Sequence, residues 1–234
     1  MNLTHFGHAC VLATFETSEG ETRLLLDPGT YSTGFEDARD LNAILITHEH
    51  PDHLDVHRLH GLVKANPGVR LIADPGASAR LGEAGIAHEA VSPGADFTVK
   101  GVSVAVLGGE HAVIHPQLPS LTNNAYLIDG RLLHPGDALV VPPGPVEILL
   151  VPAGGPWMKI SEGIDYVREV APGTAVPIHQ AGLADAHQHL HHQLLRTLAP
   201  EATDIQVLEL GVPTDFPGDI PGDIPKNTVP GHKP

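Results

Sequence analysis

The stretch ILITHEHPDHLD, Ile44 to Asp55, constrains what this chain can fold into more than any other segment. Its aliphatic start reads as a strand buried on both faces. Three histidines and three carboxylates follow within the next eight residues. Such polar crowding at the end of a buried strand is costly unless something compensates it. Pro51 lacks a backbone donor and restricts His50 before it, so the segment reads as a loop rather than a helix. There, His48-x-His50-x-Asp52-His53 offers four ligand-type side chains within six residues. Neutral imidazole and ionised carboxylate are good ligands for zinc and other borderline divalent ions. Four groups from one loop wrap a single tetrahedral ion poorly, but they can be divided between two neighbouring ions. An isolated histidine would be read as a surface residue; this density and order point to metal.

The rest of the chain sets the bounds. Its 234 residues suffice for one sizeable core, and 41% are hydrophobic. No apolar run has the length of a membrane span, and MNLTHFGHAC has neither a basic nor an apolar signal region. Thirteen Lys and Arg against 28 Asp and Glu give a net charge of −15. A field of that sign repels phosphate backbones, which disfavours nucleic acid and leaves a small-molecule substrate as the expected partner. The lone Cys10 cannot form an internal disulfide, which fits a reducing, cytoplasmic setting. A homo-oligomer is left open.

Strands are expected at 8–16, 22–29, 41–48, 69–76, 96–109, 125–137, 146–155, 174–179 and from 204, with Asp129-Gly130 as a hairpin turn. Helices are expected at 59–68, at 78–86 with Ser78 as N-cap, from Ile160 to Ala171, and at 185–200. One domain is placed at 1–211. The Pro/Gly-rich run 212–234, with its repeated Pro-Gly-Asp-Ile, is expected to be a flexible tail.

The His48-x-His50-x-Asp52-His53 segment resembles the signature of the metallo-β-lactamase superfamily, and further pieces follow in order. Asp27 in LLLDPG, His111 in LGGEH, Asp137 in LLHPGD and His179 in AVPIH match the family's later positions. The resemblance implies a four-layer αββα sandwich, two mixed β-sheets flanked by helices, with two divalent ions at one edge. Zinc is the first expectation, with manganese or iron as alternatives. It implies His48, His50 and His111 on one ion, Asp52, His53 and His179 on the other, and Asp137 shared. Asp52 is also implied as a proton acceptor, and Asp27 as a support for the loop. His115 is the rival to His111, and His134 to Asp137. His8, in a Gly-His-Ala stretch similar to that of the lactonase-like branch, is either near the site or a buried structural residue.

Other features carry weaker readings. His187 and His191, four apart on a helix, read as a solvated face. Trp157 and Lys159 read as helix entry, with pocket lining as the alternative. Asn123 and Asn124 could donate to an oxyanion or simply make a turn. No Gly-x-Ser-x-Gly elbow or phosphate loop competes with a metal mechanism. The expected function is therefore metal-dependent hydrolysis of an ester, lactone or phosphoester, closest to the lactonase-like branch. A mononuclear iron dioxygenase and a nuclease of the same superfamily are the alternatives, and a binding or sensor protein comes last.

Overall fold

The computed structural model describes residues 1–217. Its first sheet contains β1 (Asn2–His5), β2 (Val11–Thr17), β3 (Gly20–Leu26), β4 (Ala43–Ile46), β5 (Arg70–Ala73) and β6 (Glu89–Ala90). The second contains β7 (Asp96–Val99), β8 (Val102–Glu110), β9 (Thr122–Ile128), β10 (Leu132–His134), β11 (Ile148–Pro152), β12 (Thr174–Ile178) and β13 (Asp204–Ile205). A last strand, β14 (Thr214–Asp215), returns to pair antiparallel with β1. Both sheets are mixed: β3 to β6 run parallel beside an antiparallel β1–β2–β3 meander, and β10 to β13 run parallel beside antiparallel β7 to β10.

Period-2 alternation sorts the strand side chains into layers. In β4, Ala43 and Leu45 face the second sheet, where Val104, Tyr126, Ile148 and Val176 complete a shared core. Ile44 and Ile46 point the other way, onto Leu59 and Leu62 of α1 (Val56–Ala65) and Leu81 of α2 (Pro75–Glu83). On the far side, Leu149 and Val151 of β11 pack on Val167 of α3 (Ile160–Val170) and Leu195 of α4 (Asp185–Leu198). The result is helices, sheet, sheet, helices. Burial on both faces explains the unbroken apolar run of Ile44 to Ile46.

Several expectations are corrected by local chemistry. The strand foreseen at 96–109 is a hairpin, because Lys100-Gly101 turns with both residues at positive φ. Asp129-Gly130 turns the same way, as expected. The cap of α2 is Asp74, not Ser78: its carboxylate accepts from the Gly76 and Ala77 amides, and Pro75 occupies the first helical position. Ser78 Oγ instead pairs with His88 Nε2 at 2.7 Å. Helix α1 starts earlier than foreseen, capped by Asp55, whose side chain accepts from Arg58 N. Strand β1 was not foreseen, and of the strand foreseen from 204 only Asp204–Ile205 forms. The folded part also runs past 211: β14 pairs with β1, and Phe216 joins the inter-sheet core. The remainder of the expected tail, 218–234, lies outside the described residues.

Cys10 is fully buried, and burial beside Asp27 pushes its thiol well above the usual range. It should therefore be silent toward a thiol reagent such as DTNB in native protein, with one equivalent reacting in denaturant. Immediate native reaction would contradict this packing. Among the described residues, no helix is long and apolar enough to cross a membrane.

Candidate metal centre

The polar residues singled out by sequence meet beyond the carboxyl ends of the central strands, where open α/β sheets commonly bind ligands. Thr47 to His53 leave β4, Asp27 follows β3, His111 follows β8, Asp137 lies shortly after β10, and His179 follows β12. His8 comes from the β1–β2 turn, whose carbonyl accepts the His179 amide at 2.9 Å.

Two groups form. His48, His50, His111 and Asp137 bring one ligand-type atom each within 4.8 Å of one another, and so do His8, Asp52, His53 and His179. Asp137 stands between them. Its Oδ1 lies 3.1 Å from both His53 Nε2 and His179 Nε2. Its Oδ2 lies 3.3 Å from His111 Nε2 and 3.8 Å from His48 Nε2. The Nε2 atoms of His53, His111 and His179, together with Asp137 Oδ1, are buried without an aligned hydrogen-bond partner among the described residues. Buried polar atoms are rarely left so, and several converging on one point are what a cation site requires.

The other ring nitrogens are occupied, which fixes each imidazole. His53 Nδ1 lies 2.7 Å from Asp27 Oδ2, and His48 Nδ1 lies 3.0 Å from the Thr47 hydroxyl. His111 Nδ1 donates to the Ala112 carbonyl at 2.6 Å, and His179 Nδ1 to that of Gly154. Asp27 is fully buried and also accepts from Thr47 N at 2.8 Å and Thr47 Oγ1 at 2.7 Å. It therefore clamps the strand end and one histidine together.

Backbone strain marks the same place. His8, Asp27 and His179 have φ of 50°, 44° and 61°, a left-handed conformation that side chains other than glycine seldom adopt. At Gly136, φ is 63°, and a Cβ would come within 2.2 Å of Asn123 Oδ1, so the Pro-Gly-Asp turn admits no other residue unstrained.

Electrostatics follow from burial and company. Burial pushes His48 well below 6.5 and His50 down as well, which favours neutral, ligand-competent rings. Burial takes His8 to about 4. Burial opposes charge on Asp52, but the His8 hydrogen bond together with the charges of His53, His8 and His179 overcomes it and holds the carboxyl at about 2. Burial likewise opposes charge on Asp137, yet His53 and His179 hold it well below the carboxylate range. His53 is drawn well above 6.5 against its own burial, by Asp137 and then Asp27.

All seven expected ligand positions lie in the two groups. His115 does not: it is exposed, and its Nδ1 accepts from Gln117 N. His134 lies buried beneath the site, with Nε2 on the Ala9 carbonyl at 3.0 Å. Asn123 and Asn124 are neither turn residues nor oxyanion donors. Both are buried in β9, where Asn123 accepts from Asp137 N and donates to Pro135 O, while Asn124 donates to Val91 O. His187 is exposed, and His191 is held by the Ala153 carbonyl. Lys159 is exposed at the start of α3. His8 bonds Asp52 Oδ2 at 3.0 Å and packs on the His179 ring with centroids 4.0 Å apart, so it belongs to the site. Trp157 also reaches it. The Gly154-Gly155-Pro156 break after β11 was the sequence signal for that approach.

Two facing mixed sheets with outer helices and paired His/Asp groups at one edge define a metallo-β-lactamase fold. The chain belongs to that superfamily: the family model described as "Beta-lactamase superfamily domain" matches residues 2–179. It is 50% identical over 213 residues to the Mycobacterium tuberculosis protein Rv0786c, covering 89% of this chain and 96% of that one. It is 26% identical to a Pyrococcus abyssi protein named a UPF0173 metal-dependent hydrolase, covering 69% of this chain and 78% of the relative. The structure of Igni18, described as a metallo hydrolase from Ignicoccus hospitalis, has the same fold. Its TM-score is 0.70 at 20% identity, covering 92% of this chain and 99% of that one.

Proposed function

We propose that this protein is a metal-dependent hydrolase holding two divalent cations, zinc first, one in each side-chain group with Asp137 between them. The convergence of unpartnered, buried imidazole Nε2 atoms on the two oxygens of Asp137 carries this reading. The donor set fits borderline divalent ions, being imidazole and carboxylate without thiolate. The metal-dependent hydrolase name of the P. abyssi relative supports it further.

When bound, such ions supply Lewis acidity, polarising a scissile carbonyl or phosphoryl oxygen and lowering the pKa of water toward about 7. The chain's own part is placement. His48, His50 and His111 form one set of donors, and Asp52, His53 and His179 the other. His8 holds the Asp52 carboxylate in its ionised form, and we assign Asp52, as the family resemblance implies, the further role of proton acceptor during attack. Asp27 keeps His53 in the tautomer that turns Nε2 inward. The substrate class we assign is an ester, lactone or phosphoester of a small molecule. The acidic balance of the chain weighs against a nucleic-acid substrate. The buried lone thiol and the composition favour a cytoplasmic setting.

Elemental analysis combined with a panel of lactone, phosphodiester and thioester substrates tests this reading. Two divalent ions per chain and hydrolysis that a chelator abolishes and added zinc restores are expected. A single iron with thiol-dependent oxygen consumption would overturn it.

A further inference from the structure

Trp157 is the chain's single tryptophan, and it has no place in the donor set described above. Its indole is buried, and Nε1–H donates to Asp137 Oδ2 at 2.8 Å. An indole N–H can only donate, so in this buried position the carboxylate is its partner. The ring also stands between the two groups, with centroids 6.2 Å from His111 and 6.0 Å from His179, edge-on to each. Gly155 leaves it room. A Cβ there would come within 2.9 Å of the indole nitrogen and 3.3 Å of His179 Cε1.

We infer that Trp157 is a positioning residue for Asp137: its indole N–H pins Oδ2, so the carboxylate turns one oxygen toward each histidine group. This rests on the two-cation reading above. A free carboxylate can rotate and chelate one ion through both oxygens. With Oδ2 held from the indole side and the Asp137 amide tied to Asn123 Oδ1 at 3.0 Å, rotation is opposed at both ends. Trp157 thus favours loading of the pair over loading of one ion alone.

Zinc titration of metal-free protein tests this with Trp157→Phe, which keeps an aromatic ring and removes the N–H. One binding step should weaken by roughly 10- to 100-fold, as for other groups that orient a metal ligand, while the other changes little. A merely structural role would lower stability without splitting the two steps. In wild-type protein the single indole N–H resonance should move on zinc addition and shift again in metal-free Asp137→Ala, which requires no folding of the Phe variant. Two unchanged binding steps in Trp157→Phe, or an indole resonance indifferent to Asp137→Ala, would overturn the inference. Wild-type protein that takes up no zinc, with the resonance still responding to Asp137→Ala, would instead sink the two-cation reading while leaving the indole–carboxylate contact standing.

Discussion

Asp137→Asn should leave the protein folded and nearly inactive. Asparagine matches aspartate in volume, and its carbonyl oxygen can still accept from the Trp157 indole, so the turn and the Asn123 contact survive. The other position becomes an NH2 donor. That donor would face His53 Nε2 and His179 Nε2, which now lie 3.1 Å from Oδ1. An amide nitrogen offers no lone pair for a cation, so one anionic oxygen and the bridge are lost together. Bridged ions supply several kcal/mol of transition-state stabilisation, and each ~1.4 kcal/mol is a factor of ten in rate. Hydrolysis should therefore fall by about 10³-fold or more, with at most one ion retained and an unchanged far-UV circular dichroism spectrum. Retention of both ions at near wild-type rate would show that Asp137 does not join the two groups.

Asp27→Ala should damage stability and site at once. Asp27 is fully buried, and its carboxylate is shared by Thr47 N, Thr47 Oγ1 and His53 Nδ1. Deleting it strands three polar groups in the interior, each costing about 1–3 kcal/mol when unsatisfied. A net loss on the order of 3–5 kcal/mol is expected in denaturant unfolding of the metal-free protein. His53 also loses the partner that orients its ring, so metal affinity should drop about 10- to 100-fold even in protein that still folds. Asp27→Asn retains acceptance from Thr47 but can no longer offer two anionic oxygens, and should lie between. If Asp27→Ala proved as stable as wild type, the clamp between β3 and the loop after β4 would carry no weight.

The legible parts of the sequence were those where one residue type has one physical use. The run into His48-x-His50-x-Asp52-His53 announced both a doubly buried strand and its polar end. Asp27, His111, Asp137 and His179 were assigned through the family resemblance, each matching in order a family position at or shortly after a strand end. The less legible parts depended on partners far away in the chain. His8 reads equally as a site neighbour or a core histidine until the fold sets it against Asp52, 44 residues later. Asn123 looks like turn chemistry, yet across the hairpin it accepts the amide of Asp137. Trp157 resembles helix entry until the Gly-Gly break lets its indole reach back. Strand β1 is too short and mixed to stand out, and β14 makes sense only once β1 is there to pair with it. Ser78 lost the cap of α2 because Asp74 before Pro75 satisfies two amides where serine would satisfy one.

Anomalous diffraction at the zinc edge, from crystals of the metal-loaded protein, tests the central claim most directly. Two peaks are expected, one among His48, His50 and His111 and one among Asp52, His53 and His179, with an Asp137 oxygen beside each. A single peak, or peaks remote from Asp137, would contradict it.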